Sequence, residues 1–390
     1  MTDLKRIGYA EQIVEDEDIE AVTQYLQGGM RLTQAAINND FENAISEVLN
    51  VKHCVLTNSA TSALLSAYLA CGLGPNDLLW TVPNTFVATA NAALQCGATV
   101  EFVDICPRTQ NLCLDLLESK LADAKIKGIL PKIVVPVHFG GSPVDLNRLQ
   151  NLSNAYGFLV VEDASHALGA TYAGSQIGNG VYSEATIFSF HPAKGVTTGE
   201  GGCVVTNNRQ LAARVRRITD HGLQRDPQFF EETSNADLYW PYQQIEMGYN
   251  FRMPALSSVL GLSQLKRLPK FLGRRRCNAE VYKGSLAPSV TRQEIIEGCE
   301  SSYHLFPVLF QSADHKKHIK MVLARNGIDA AEHYLPVYLQ PYYYKMLKTA
   351  VEDYCPESLK CYSTMLSLPC HAGLSNTEIR RIVELINAEI

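Results

Sequence analysis

The sequence predicts an α/β protein built on a mostly parallel sheet with helices on both faces. Between residues 50 and 207, seven short apolar runs alternate with segments of helical periodicity. Such strand–helix–strand alternation is typical of parallel sheets, whose strands are buried on both faces. After residue 250 the pattern becomes largely helical, which indicates a second, smaller α/β domain. We therefore predict a large domain over residues 1–253 and a small C-terminal domain over residues 254–390.

The individual elements follow from periodicity and from the residues that end each segment. The strands predicted for the large sheet span residues 54–57, 79–82, 100–104, 133–137, 158–163, 186–190 and 203–206. Helices are predicted over residues 17–27, 61–71, 85–96 and 144–156, and a helical stretch over 254–286 should be interrupted at Pro269. Residues 304–310 indicate a further strand, 378–390 a closing helix and 226–242 a long loop.

The composition argues against a nucleic-acid-binding or membrane protein. The 390 residues carry a net charge of -6, and the densest basic run, residues 274–276, indicates the solvated face of a helix. No apolar run approaches the length of a membrane span, and no signal peptide is visible. The eleven cysteines are scattered, and Cys54, Cys96 and Cys203 fit the core. We expect a reduced, cytoplasmic protein without a metal site or disulfides.

One lysine stands out, because Lys194 follows the apolar run 185–190 and precedes a glycine-rich turn. An ammonium at the end of a core strand is rarely tolerated without a partner. A lysine held as an imine by an aldehyde cofactor carries no free ammonium and needs a dry, fixed site. A surface lysine at the strand end is the alternative, and only further residues suited to the same cofactor decide between the two.

Asp163 ends an apolar strand, so its carboxylate should lie at the carboxyl edge of the sheet. A charge-assisted hydrogen bond from that position would keep a ring nitrogen of such a cofactor protonated. A helix N-cap is the alternative interpretation, because a helix can begin at Ala164. Glu162 alternates to the opposite side of the strand and is a weaker candidate.

Two further segments suit a phosphate and a flat ring. Residues 57–64 run from a strand through small hydroxyl residues into a helix, whose free N–H groups and dipole suit a phosphate, although plain N-capping also explains them. Phe86 follows a strand and can stack on a ring, although core packing is the alternative. Ser189 can add a hydroxyl to the phosphate, whereas His191 only packs beside the lysine.

Together these segments resemble the DegT/DnrJ/EryC1/StrS family of pyridoxal-phosphate-dependent sugar-nucleotide aminotransferases, within the fold-type I enzymes. The resemblance covers nearly the whole chain, and its motifs occur in family order. They are Asn-Ser-Ala-Thr-Ser-Ala-Leu at 58–64, Thr-Phe-Val-Ala-Thr-Ala-Asn at 85–91, Phe-Val-Asp-Ile at 102–105, Glu-Asp-Ala-Ser-His-Ala-Leu-Gly at 162–169, Ser-Phe-His-Pro-Ala-Lys at 189–194, Gly-Glu-Gly-Gly at 199–202 and Gly-Tyr-Asn-Phe-Arg-Met at 248–253. The resemblance implies an aspartate-aminotransferase-like fold with a seven-stranded sheet between helices.

The resemblance also implies roles in binding pyridoxal 5′-phosphate. Lys194 would form the imine with the cofactor, and Asp163 would pair with its pyridinium nitrogen. Phe86 would stack on the ring, and His166 would lie near the phenolic oxygen.

Further implied roles concern the phosphate and the substrates. Ala60, Thr61 and Ser189 would hold the phosphate, and Asn250 would reach the phosphate in a neighbouring subunit, so a homodimer with shared active sites is implied. Glutamate would donate the amino group to a nucleotide-linked keto sugar. The strings at 58–64, 163–169, 189–192 and 368–371 are most similar to the branch that aminates C4 of a UDP-linked 4-keto-6-deoxy-N-acetyl hexosamine in the pseudaminic-acid pathway.

Some alternatives stay open at this point. A GDP- or dTDP-linked keto sugar would suit the same family, as would a non-catalytic regulatory protein, although Lys194 and Asp163 are both intact. A sugar-deoxygenating lyase of the same fold would carry histidine in place of Lys194, and no Gly-x-Gly-x-x-Gly motif indicates an oxidoreductase. Many relatives have Leu-Thr-x-Gly where residues 32–36 are Leu-Thr-Gln-Ala-Ala, so this loop should differ. His304, His333 and Tyr334 would either meet the substrate or fill structural roles.

Overall fold

The computed structural model describes residues 6–232, 241–347 and 354–390. The strands are β1 (His53–Thr57), β2 (Leu78–Thr81), β3 (Thr99–Phe102), β4 (Ile133–Val135), β5 (Leu159–Asp163), β6 (Thr171–Tyr172), β7 (Ser175–Gln176), β8 (Ala185–Ser189), β9 (Gly202–Thr206), β10 (Leu223–Gln224), β11 (Gln243–Gln244), β12 (Thr291–Arg292), β13 (Cys299–Glu300), β14 (Phe306–Leu309) and β15 (Met365–Leu368). The helices are α1 (Asp16–Gln27), α2 (Ala36–Leu49), α3 (Ala60–Ala70), α4 (Ala88–Gln95), α5 (Leu114–Lys127), α6 (Leu146–Tyr156), α7 (Arg209–Thr219), α8 (Ala255–Lys266), α9 (Leu268–Ser285), α10 (Ala313–Arg325), α11 (Pro341–Leu347), α12 (Pro356–Thr364) and α13 (Asn376–Asn387).

The predicted seven-stranded sheet is confirmed. Its strand order is β1-β9-β8-β5-β4-β2-β3. β9 runs antiparallel to both of its neighbours, and every other adjacent pair in this sheet is parallel. Parallel strands bring their carboxyl ends to one edge, which is where ligands bind in open α/β sheets.

Helices cover both faces of this sheet, which explains why its strands are apolar throughout. Val161 packs in a cluster with α3 and α4, whereas its neighbour Val160 packs on the other face with α5 and α6. Alternate side chains of a strand point to opposite faces, so both positions are buried. Cys54, Cys96 and Cys203 are buried in the core, as predicted.

The C-terminal part builds a smaller sheet. The antiparallel strands β12, β14 and β15 pack with α9, α10 and α13 around an apolar cluster that includes Phe306 and Ile382. Ile7 joins this cluster, because its backbone bonds to Gly327 and Asp329. The domain boundary after residue 253 stays a prediction.

Several predicted elements are confirmed with shifted ends. The long helical stretch breaks at Arg267, between α8 and α9, where Pro269 lies in the first turn of the second helix. The predicted loop is described only at its two ends, because residues 233–240 lie outside the described part of the chain. Across the described residues, no helix is long and apolar enough to span a membrane.

Two local interpretations were wrong. The helix predicted from residue 85 begins at Ala88, because Asn84 donates to the carbonyl of Gln110 and holds residues 83–87 in a turn. The middle of the basic run is not solvated either. Arg275 is only 4% exposed, and its Nη1 donates to the carbonyls of Tyr303, His304 and Cys370.

Candidate active site

A cavity of about 480 Å³ opens at the carboxyl edge of the large sheet. Its walls follow the ends of β1, β2, β5 and β8, and residues from the C-terminal part close it. Seven of the predicted site residues line it, namely Ala60, Thr61, Phe86, Asp163, His166, Ser189 and Lys194. The eighth, Asn250, is exposed outside this lining and forms a β-bridge with Asp220.

Lys194 lies in a turn after β8, where its N–H donates to the carbonyl of His191. Its half-buried side chain brings Nζ to 3.4 Å from Nε2 of His304. Burial lowers the pKa of Lys194 to about 8, although the Asp163 carboxylate opposes this shift and Arg275 adds to it. A larger fraction of Lys194 is therefore free amine near neutral pH, which is the form that attacks a carbonyl.

Asp163 ends β5 with a buried carboxylate that two donors fix. The hydroxyl of Thr89 donates to Oδ2 at 2.7 Å, and the N–H of Ser165 donates to Oδ1 at 3.1 Å. No helix begins at Ala164, so the N-cap interpretation is wrong. A carboxylate held in this way at a cavity wall can pair with a cationic ring nitrogen.

Glu162 points away from the cavity, as strand alternation predicts. Its carboxylate contacts Nε2 of His138 at 2.8 Å and accepts hydrogen bonds from Ser183 and Thr186. These partners hold the Glu162 carboxylate on the side of β5 that faces away from the cavity. Asp163 is therefore the carboxylate of this pair that lines the cavity.

The N-terminus of α3 forms another wall. Ser59 caps this helix by accepting from the N–H of Ser62, and Ala60 and Thr61 follow in the first turn, where N–H groups have no intrahelical acceptor. The neighbouring β9 approaches very closely, because a Cβ at Gly202 would lie 2.6 Å from the backbone nitrogen of Ala60. Glycine at position 202 therefore avoids a clash with the first turn of α3, whose N–H groups can bind an anion.

Phe86 presents an exposed ring to the cavity. It lies in the turn between β2 and α4, and 60% of it is exposed, which excludes the core-packing alternative. An exposed aromatic ring on a cavity wall suits a planar ligand. Ser189, buried at the end of β8, adds a hydroxyl to the same cavity.

His304, His333 and Tyr334 close the cavity from the C-terminal part and lie close to His166, which follows β5. The rings of His166 and His304 lie 4.3 Å apart, and Tyr334 Oη is 3.3 Å from Nε2 of His166. Burial, followed by the charge of Lys194, lowers the pKa of both histidines well below the ordinary value. Burial likewise lowers the pKa of His333, to about 4. These imidazoles are therefore neutral near pH 7.

Sequence reasoning missed other residues of the site. Thr89, Ser165, Tyr9 and Glu200 also line the cavity. Thr89 stands in the Thr-Phe-Val-Ala-Thr-Ala-Asn motif, but its partner Asp163 is 74 residues away, so no local pattern indicates the contact.

The loop that departs from Leu-Thr-x-Gly keeps an ordinary backbone at the replaced glycine. Ala35 is extended, with φ of -100°, and caps α2. The left-handed residue is Gln34, with φ of 50°, and its side chain contacts Asp220. Glycine is therefore not required at position 35.

The residues present fit pyridoxal phosphate. The cavity combines a lysine of lowered pKa, a fixed carboxylate, an exposed aromatic ring and an open helix N-terminus. These groups match the aldehyde, the ring nitrogen, the ring face and the phosphate of the cofactor, respectively.

Comparison with known proteins agrees with this geometry. The model of the DegT/DnrJ/EryC1/StrS aminotransferase family matches residues 12–387. A UDP-4-amino-4,6-dideoxy-N-acetyl-beta-L-altrosamine transaminase from Campylobacter jejuni subsp. jejuni serotype O:23/36 (strain 81-176) is 36% identical over 373 residues, which are 95% of this chain and 93% of that protein.

Solved structures give the same result. Helicobacter pylori PseC, an aminotransferase involved in the biosynthesis of pseudoaminic acid, matches with a TM-score of 0.86 at 32% identity, over 99% of each chain. The PLP form of Spr1654 from Streptococcus pneumoniae matches with a TM-score of 0.86 at 26% identity, over 99% of this chain and 98% of that one. The predicted fold, enzyme class and cofactor are confirmed, and the chain belongs to the DegT/DnrJ/EryC1/StrS aminotransferase family.

Proposed function

We propose that this aminotransferase moves an amino group from glutamate to C4 of a UDP-linked 4-keto-6-deoxy-N-acetyl hexosamine, and that it works as a homodimer with shared active sites. The observation that carries the proposal is the convergence of Lys194, Asp163, Phe86 and the α3 N-terminus on one cavity. The similarity to the Campylobacter transaminase supports the choice of sugar nucleotide. Its action in the cytoplasm stays a prediction.

Each residue of the cavity has a separate task in this proposal. When bound, pyridoxal phosphate supplies an aldehyde and an electron-accepting ring. Nζ of Lys194 would hold the cofactor at rest and, once released, would move a proton to and from the amino-bearing carbon of the substrate. Asp163 would keep the proton on the ring nitrogen, and Phe86 would fix the plane of the ring.

The remaining predicted residues position the cofactor. Ala60 and Thr61 offer the N–H groups of the first turn of α3 to the phosphate, and Ser189 adds its hydroxyl. His166 would lie near the phenolic oxygen of the cofactor, where a neutral imidazole can donate one hydrogen bond without adding charge.

Half-transamination tests the substrate. The enzyme is loaded with the amino form of the cofactor and offered UDP-, GDP- and dTDP-linked 4-keto sugars, and the return of the absorbance of the lysine-bound cofactor is followed. We expect the UDP-linked N-acetyl sugar to react fastest. Reaction only with a GDP- or dTDP-linked sugar would exclude the proposed substrate and favour a perosamine-type aminotransferase.

Mixing two inactive variants tests the shared active sites. Asn250 is exposed outside the cavity of its own subunit, which is compatible with a role in the partner's site. In a mixed dimer of Lys194→Ala and Asn250→Ala subunits, one site carries both changes and the other carries neither. Mixing equal amounts of the two variants and letting their subunits exchange should restore about a quarter of the wild-type activity. Half of the dimers are then mixed, and each mixed dimer has one intact site out of two. Mixed dimers without activity would contradict sharing.

A further inference from the structure

We propose that His304 is a positioning residue, which holds the amino group of Lys194 at a fixed place in the cavity by accepting a hydrogen bond from Nζ at its own Nε2. The inference rests on the proposed role of Lys194 as the residue that binds the cofactor. It assigns a task to a side chain that lies two residues before β14 and 110 residues further along the chain than Lys194.

The first argument concerns the hydrogen-bond partner of Lys194 Nζ. Among the residues that the structure describes, Nε2 of His304 is the side-chain atom within hydrogen-bond distance of Lys194 Nζ, at 3.4 Å. The carboxylate of Asp163, whose charge acts on Lys194, already accepts from Thr89 and Ser165. When Lys194 is protonated, its ammonium has donors and no acceptor, so the contact then requires that Nε2 of His304 accepts and that the imidazole proton is on Nδ1.

The second argument is that the imidazole is held in place. The guanidinium of Arg275 donates to the carbonyl of His304, and the N–H of Leu305 donates to the carbonyl of Gly140. The ring packs on His166, whose own carbonyl accepts from the hydroxyl of Ser302 at 2.6 Å. The backbone hydrogen bonds and the packing on His166 hold the ring of His304, whose Nδ1 is buried without a hydrogen-bond partner among the residues that the structure describes. An acceptor held in this way can define where a flexible lysine side chain rests.

The third argument is the charge around the pair. The charged and titratable groups that face Lys194 and His304 are Asp163 on β5, Arg275 on α9, His166 after β5 and His333 before Tyr334. Burial and the positive charges keep His304 neutral, so Nε2 stays available as an acceptor near neutral pH. A protonated imidazole would repel the lysine.

Two amide substitutions separate this role from simple packing. A glutamine side chain places an amide oxygen close to the position of Nε2, whereas an asparagine side chain reaches only the position of Nδ1. His304→Gln therefore keeps an acceptor for Lys194, and His304→Asn removes it while retaining a polar amide. His304→Leu, which also lacks an acceptor, replaces the asparagine variant if that protein does not fold.

The test is the pH dependence of Lys194 acetylation in the apoenzyme, followed by mass spectrometry of the Lys194 peptide. We expect the wild-type midpoint near pH 8. His304→Asn should lower it by about one pH unit, because the ammonium loses a charge-assisted acceptor, and His304→Gln should stay close to wild type. Equal midpoints in wild type and His304→Asn, or equal shifts in both variants, would overturn the proposal. Labelling requires no turnover, so its outcome is independent of whether the proposed reaction is correct.

Discussion

Replacing Thr89 by valine should remove the main support of Asp163 while leaving the shape of the site unchanged. The Thr89 hydroxyl donates to Oδ2 of Asp163 at 2.7 Å and lies 2.9 Å from the hydroxyl of Thr85. Thr89 is 1% exposed and Asp163 is 5% exposed, so water does not replace the lost donor. Valine fills the same volume, and no cavity results.

The expected magnitude follows from the charge of the acceptor. A hydrogen bond to a charged group contributes about 1.5–3 kcal/mol, and a neutral one contributes about 0.5–1.5 kcal/mol. Thr89→Val should therefore lower the free energy of unfolding by about 2 kcal/mol. Thr85→Val removes only a bond between two hydroxyls and should lower it by about 1 kcal/mol or less.

Urea unfolding of the apoenzyme measures this difference from the two midpoints and their slopes. The dissociation constant for pyridoxal phosphate provides a second readout. It should rise roughly tenfold in Thr89→Val, which corresponds to a loss of about 1.4 kcal/mol of binding free energy. Equal losses in Thr85→Val and Thr89→Val, in both stability and affinity, would show that Thr89 does not support the carboxylate.

Three further predictions concern stacking, pH and packing. Phe86→Ala should change the free energy of unfolding by about 0.5 kcal/mol or less, because Phe86 is 60% exposed. It should weaken the affinity for the cofactor about two- to tenfold, as measured by an absorbance titration of the apoenzyme. Burial lowers the pKa of His333 from 6.5 to about 4. The free energy of unfolding of the apoenzyme should therefore fall by up to about 3 kcal/mol between pH 6.5 and pH 4, because the unfolded chain binds the proton more readily. Urea titrations at several pH values should show a smaller fall in His333→Gln. Gly261→Ala should lower the melting temperature, because its Cβ would meet the ring of Phe41 at 2.4 Å, whereas the open Gly273 in α9 should accept alanine with a gain of up to about 1 kcal/mol.

The large sheet could be predicted because its information is local. The strands are buried on both faces, so apolar runs such as the one before Asp163 mark them within one or two residues. Lys194 and Asp163 could be singled out for the same reason, because charged residues beside such runs are unusual.

Contacts between distant segments could not be predicted. The sequence assigned the basic run around Arg275 to a solvated helix face, although its guanidinium is buried against carbonyls up to 95 residues away. The sequence does not define a role for His304 or Tyr334, because contacts such as that of Tyr334 with His166 join residues 168 positions apart. Such pairs depend on how the C-terminal part packs over the sheet edge, which no short pattern encodes.

The most direct measurement of the central claim, that Lys194 carries the cofactor, is borohydride reduction followed by peptide mass spectrometry. The wild-type enzyme loaded with pyridoxal phosphate should carry one reduced adduct per chain, on the peptide that contains Lys194. Lys194→Ala should carry none, and the control Lys52→Ala, at an exposed position, should match wild type. A stoichiometric adduct in Lys194→Ala, or a wild-type adduct on another lysine, would contradict the assignment.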